Sequence, residues 1–174
     1  MGLKGSETEI NLKTAFSGES QARNKYTYFA SIAKKEGYEH IASIFLETAE
    51  NEKEHAKIWH KYLYGKNATN ENLQNAIDGE REEWSNMYKH FAEVAEKEGF
   101  IDIAKKFKLV AEVEKTHEQR FQELLNTIKD GSVFKKNNTN TKWKCRNCGY
   151  IHVGSEAPDM CPCCDHKQSY FEII

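Results

Sequence analysis

Apolar positions recur in steps of three and four along most of the chain, the period of helices that bury one face. Four such segments are predicted, over residues 6–36, 39–64, 71–98 and 100–129. Ser6 and Glu9 have the spacing of a capping box at the first start. Gly37, Gly65 and Gly99 stand where helices can end. At Gly131 the periodicity gives way to a polar stretch, and a cysteine-bearing segment follows.

The helical part is built from a repeat. FASIAKKEGYEHIASIFLETAENEKEH from Phe29 aligns with FAEVAEKEGFIDIAKKFKLVAEVEKTH from Phe91, sharing Phe-Ala, Lys-Glu-Gly, Ile-Ala and a terminal Glu-x-x-His. Two copies of a helix pair predict a pseudo-symmetric four-helix bundle in which any functional group occurs twice.

Polar residues interrupt the apolar stripes at matching places. The second helix reads Ile41, Phe45, Thr48, Glu52, His55, Trp59, and the fourth reads Ile103, Phe107, Val110, Glu114, His117, Phe121. Glu19 on the first helix and Glu80 on the third break their stripes in the same way. An inward carboxylate costs several kcal/mol unless it is paired, protonated or bound to a cation. One Glu from each of two helices plus Glu-x-x-His from each of the other two is the di-iron carboxylate constellation of ferritin-like bundles. Glu83, one turn after Glu80, is a seventh candidate on the same face, whereas Glu82 is directed away. Glu19 precedes Phe29 by ten residues, but Glu80 precedes Phe91 by eleven. The extra residue predicts a π-bulge in the third helix. Tyr26 and Tyr88 read as packing residues or as hydrogen-bonding neighbours of the ligands, and Trp59 and Trp84 as core or interface. His40, His60, His90, His152 and His166 lack repeated ligand context and read as surface residues.

All five cysteines lie between Cys145 and Cys164, which is not the distribution of a disulfide framework. Cys145-x-x-Cys148 and Cys161-x-x-Cys164, twelve residues apart, form two metal knuckles. Four thiolates in tetrahedral array suit iron or zinc, and a module of about 30 residues needs such a metal to fold. Cys163, the odd cysteine, points away from its neighbours' metal and reads as a spare thiol.

Composition narrows the function class. Hydrophobic residues are 39%, charged residues 30% and prolines two, which fits amphipathic helices. The net charge of -2 arises from 25 basic and 27 acidic residues interspersed along the chain, so no basic field marks a nucleic-acid partner. No apolar run approaches the roughly 20 residues needed to span a bilayer, and the N-terminus lacks the apolar stretch of a signal peptide. A soluble cytoplasmic protein without membrane partners is expected.

Taken in order, Gly-Glu19, Glu52-x-x-His55, Gly-Glu80-x-x-Glu83, Glu114-x-x-His117, Cys145-x-x-Cys148-Gly-Tyr150 and Cys161-Pro-x-Cys164 resemble the rubrerythrin family. The resemblance implies a mainly α fold: a ferritin-like di-iron four-helix bundle over 1–130, a linker over 131–142 and a small rubredoxin-like Fe(Cys)4 domain of strands and loops over 143–174. It implies a peroxidase that reduces hydrogen peroxide to water in oxidative-stress defence. Glu52 and Glu114 would bridge two irons, Glu19 and Glu80 would be terminal ligands, and His117 would hold one iron throughout. The other iron would exchange Glu83 for His55 on reduction, making these two the catalytic pair. Electrons would come from NADH through a separate reductase or rubredoxin, since the chain has no Gly-x-Gly-x-x-Gly fingerprint. A head-to-tail homodimer is implied as well. The alternative is a ferroxidase or iron-storage protein, against which Glu83 and the cysteine module argue.

Overall fold

The first turn sets the first helix. Ser6 Oγ accepts the Glu9 N–H at 3.1 Å, while Glu9 Oε2 accepts the Gly5 N–H at 2.6 Å rather than that of Ser6. From this cap α1 runs over Glu7–Lys35 and α2 over Glu39–Tyr64. The turn between them needs a left-handed residue, supplied by Gly37 at φ 84°, and the Tyr38 N–H closes back on the Ala33 carbonyl at 2.8 Å. The structure, a computed structural model, describes residues 2–174.

So short a connection folds α2 back along α1 as a hairpin. Its seam is alanine: Ala30 and Ala33 of α1 meet Ala42 of α2, and Ala49 and Ala56 continue the buried line in steps of seven. Small side chains let the helix axes approach closely. They also remove little apolar surface from water, at about 25 cal/mol per Å². Phe45 packs partly against this seam, whereas Phe29 and Ile41 remain 43% and 48% exposed.

The second unit starts at Ala68, whose N–H is held by Glu71 Oε2 at 2.7 Å. A continuous rod follows: α3 over Thr69–Glu82, a π turn over Glu83–Met87 and α4 over Tyr88–Lys97. The Tyr88 N–H reaches the Glu83 carbonyl, five residues back, which is the widened turn that the extra residue predicts. Gly99 at φ 85° and the Phe100 N–H on the Ala95 carbonyl repeat the Gly37 turn, and α5 returns over Ile101–Lys129. Buried Ala92, Ala95 and Ala104 are the repeat partners of Ala30, Ala33 and Ala42. Phe91 and Ile103, like their counterparts Phe29 and Ile41, stay 40% and 49% exposed. Ile77 of α3 and Leu125 of α5 are fully buried as well, so the second hairpin adds large apolar residues to its alanines.

The C-terminal segment is a three-stranded antiparallel sheet of order β2-β1-β3, with β1 over Lys142–Cys145, β2 over Ile151–Val153 and β3 over Phe171–Ile173. Its core is Trp143, Cys145, Ala157, Cys161 and Phe171. The Trp143 indole N–H is satisfied by the Gly154 carbonyl at 3.0 Å. Within residues 131–142, read from the sequence as a linker, Phe134 packs on this core and its carbonyl accepts the Ala157 N–H at 2.9 Å. Among the described residues no helix is long and apolar enough to cross a membrane.

Candidate metal centres

In the first hairpin, α1 contributes Glu19, and α2 contributes Glu52 and His55 one turn apart. Ligand atoms of the three lie within 4.8 Å of one another. His55 Nδ1 is 2.9 Å from Glu52 Oε2 and 3.9 Å from Glu19 Oε1. Burial pushes the Glu19 carboxyl above its usual range, and the adjacent Glu52 pushes it further, while His55 pulls it back. The Trp59 indole N–H also draws Glu19 down, yet it is buried with no partner at hydrogen-bonding distance.

The second hairpin repeats the arrangement. Glu80 of α3 meets Glu114 and His117 of α5, again within 4.8 Å. His117 Nδ1 lies 2.7 Å from Glu114 Oε2 and 3.6 Å from Glu80 Oε2. Burial raises the Glu80 pKa, and the charges of Glu114 and Glu83 add to it against His117. Glu83 opens the π turn. It stands outside the triad, but its charge acts on Glu80 and, after burial, is the largest influence keeping the Tyr88 phenol protonated. Tyr88 packs against Phe91 and Phe107, as Tyr26 packs against Phe29 and Phe45. Glu82 turns outward and accepts from Asn86 at 2.6 Å.

The four cysteines of the two knuckles also converge. Cys145 and Cys164 sulfurs are 3.8 Å apart, and those of Cys148 and Cys161 are 3.7 Å apart. These are not disulfide distances. They match the edge of a tetrahedron of sulfurs about 2.3 Å from a central metal, roughly 3.8 Å. Against the upward push of burial, the His166 backbone N–H and the neighbouring thiols bring Cys164 down to about 6. Cys148 is pushed up; the Tyr150 backbone N–H opposes this and the other thiols cause it. Such a set shares negative charge poorly on its own, and a cation suits it. Gly149 at φ 80° closes one knuckle, and Asp165 at φ 57° takes the equivalent place in the other. Cys163 is exposed and outside the quartet.

One group of residues carries no ligand signature and is passed over by motif reading. Glu118 of α5 accepts Arg81 Nε at 2.8 Å and Arg81 Nη2 at 2.7 Å on one oxygen, and the Trp84 indole N–H at 2.5 Å on the other. Its carboxyl is lowered mainly by the Trp84 bond and also by Arg81. Lys115 Nζ lies 5.2 Å from the centre of the Trp84 ring. Trp84 is thus a hydrogen-bond donor as well as a packing residue.

The family described as Rubrerythrin matches residues 11–125 and, again, 71–143. Its rubredoxin-like domain family matches residues 143–172. The chain belongs to the rubrerythrin family. It is 51% identical over 183 residues to a rubrerythrin of Porphyromonas gingivalis, covering 98% of this chain and 91% of that one. A rubrerythrin of Clostridium perfringens is 48% identical over 99% of this chain and 96% of its own. One from Nitratidesulfovibrio vulgaris is 45% identical, with the same coverage. Family membership, the carboxylate and histidine triads and the four-thiol site together make iron the metal: a di-iron centre in the helical part and one iron in the cysteine module. This places the chain among the iron proteins of oxidative-stress defence and gives the cysteine module an electron-transfer role.

Proposed function

We propose that the protein is a non-haem di-iron peroxidase that reduces hydrogen peroxide to water, with NADH-derived electrons delivered by a separate reductase or rubredoxin. The observation that carries this reading is Glu83 at the head of a π turn, an extra carboxylate beside one of two otherwise matching triads. A storage site needs no such asymmetry and no attached thiolate iron.

Glu19, Glu52, His55, Glu80, Glu83, Glu114 and His117 are the ligands of the iron pair, and Cys145, Cys148, Cys161 and Cys164 hold the third iron. When bound, the pair supplies the two electrons that cleave the peroxide O–O bond, and the thiolate-held iron restores them singly. The residues do the rest. Glu52 and Glu114, each paired with the His one turn on, would hold the pair with a carboxylate oriented by its own helix. Glu83 and His55 would serve as alternative ligands, a carboxylate suiting the more charged oxidised pair and a neutral imidazole the reduced one. Tyr88, kept protonated by burial and by Glu83, holds a phenolic proton at the site throughout the physiological range. In solution the chain forms a head-to-tail homodimer in the cytoplasm.

The test is rapid mixing of anaerobically reduced, iron-loaded protein with hydrogen peroxide or dioxygen while the visible Fe(Cys)4 absorption is followed. Fast recovery of colour with peroxide and slow recovery with dioxygen is expected. Preference for dioxygen at full iron loading overturns the reading in favour of a ferroxidase.

A further inference from the structure

A π turn is a register that an α-helix can shed or shift. One extra residue is accommodated by a single widened turn, and the same residue can be accommodated a position earlier or later along the rod. Each shift rotates the residues it passes by roughly 100°, the angle of one helical step. Glu83 keeps its face only while the widened turn stays at Glu83–Met87. Some contact must therefore prefer that register.

The clamp described above has the required placement. Arg81 lies two residues before the π turn and Trp84 is the second residue within it, so one Glu118 carboxylate brackets its start. That carboxylate is only 14% exposed, and both its oxygens are engaged. Charge-assisted bonds of this kind are the strong ones, and they hold their donors in fixed directions. Lys115, over the Trp84 ring, restricts the indole from the other side.

The internal repeat supplies a control. Where the second hairpin has Arg81 and Glu118, the first has Ser20 and Ala56. With the extra residue placed at the start of the π turn, Glu83 and Trp84 together stand opposite Ala22 alone. The first hairpin has an uninterrupted α-helix there, and Arg81, Trp84 and Glu118 are all without counterparts, while Lys53 stands where the second hairpin has Lys115. The ligands Glu19, Glu52 and His55 persist in both halves as Glu80, Glu114 and His117. The clamp follows the π turn, not the triad.

We propose that Glu118 is a positioning residue: by holding the Trp84 indole N–H and the Arg81 guanidinium on one carboxylate, it fixes the register of the π turn that presents Glu83. This rests on the reading of Glu83 as a ligand of the oxidised iron pair, and the test separates the two ideas. Hydrogen exchange by mass spectrometry on the iron-loaded full-length protein reads the register, and the midpoint potential of the di-iron pair reads the presentation of Glu83. In Glu118→Ala, amides over residues 83–90 should exchange roughly tenfold faster while residues 19–29 are unchanged. The potential should rise, as it should in Glu83→Ala. Glu118→Gln, which still accepts from the indole, should restore most of the protection. Trp84→Phe keeps the Arg81 pair and gives the same test should the alanine variant fold poorly. Unchanged exchange over 83–90, or faster exchange spread evenly over both hairpins, overturns the proposal. So does local loosening without a shift in potential, provided that Glu83→Ala itself shifts it. A Glu83→Ala protein with unaltered potential overturns instead the ligand reading of Glu83, leaving the exchange data to judge the clamp.

Discussion

His117 Nδ1 sits 2.7 Å from Glu114 Oε2, one helical turn away on the same face of α5. The pair is oriented by the helix itself, so its geometry does not depend on a distant loop. Glu114→Ala should therefore remove the proposed ligand and release the orientation of His117 together. We expect affinity for the iron pair to fall roughly a hundredfold or more, a larger loss than that from an outer hydrogen-bonding partner. Metal analysis after gel filtration checks this, and the visible absorption of the cysteine iron should survive.

Glu83→Ala should slow peroxide turnover at least about tenfold while leaving thermal stability within about 1 kcal/mol of the parent, because the side chain is half-buried and makes no ion pair or side-chain hydrogen bond among the described residues. Its removal should also lower the pKa values of Glu80 and Tyr88, both of which feel its charge. Single-turnover kinetics beside a thermal melt measure the first two effects. A well-loaded variant with full turnover contradicts the role given to Glu83.

Cys161 is fully buried in the small core of the cysteine module. Cys161→Ser should abolish the visible absorption and donor-linked turnover, while a chemically reduced iron pair remains oxidisable by peroxide. Sustained NADH-linked turnover in this variant would remove the module from the electron path.

Glu19 and Glu80 have pKa values raised above 4.5 by burial and by the facing carboxylate. In the chelator-treated protein the folded state therefore holds these protons more tightly than the unfolded chain does. Their contribution to stability is fully present below the unfolded-state value and is lost as pH rises through the folded value. Melting temperature should fall as pH rises above the ordinary carboxyl range on this account, and Glu80→Gln should flatten that slope. Iron reverses the preference, since it competes with the same protons, so iron affinity should weaken on acidification.

Much of this was readable from residue spacing. Glu-x-x-His at one-turn intervals needs only the helical period, and the count from Glu80 to Phe91 announces the π turn that Glu83–Met87 forms. The cysteine knuckles are equally local. What spacing does not show is which helix face meets which. The stripe of Ile41 and Phe45 dominates the pattern, yet the buried line of the hairpin seam is Ala42, Ala49 and Ala56, with Phe45 only partly buried against it. Ala has too little apolar surface to register in such a pattern. The Glu118 clamp joins residues more than thirty positions apart, and its only trace in the sequence is a break in the repeat, Ala56 giving way to Glu118 and Ser20 to Arg81. Phe134 lies in a stretch polar enough to read as linker, where a single aromatic ring carries the contact with the module.

The π turn also bears on descent. A chain made by doubling one hairpin begins with two interchangeable halves, each offering the same two carboxylates and one imidazole. A difference of a single codon between the halves is enough to end that equivalence. It leaves matching triads in both halves and sets Glu83 and Trp84 opposite Ala22 alone, a gain of one residue. A change that small lies within reach of one replication error, and the partners Arg81 and Glu118 could be acquired afterwards by ordinary substitution. If Glu83 is a ligand as proposed, two like metal positions acquire separate duties without any new helix being added.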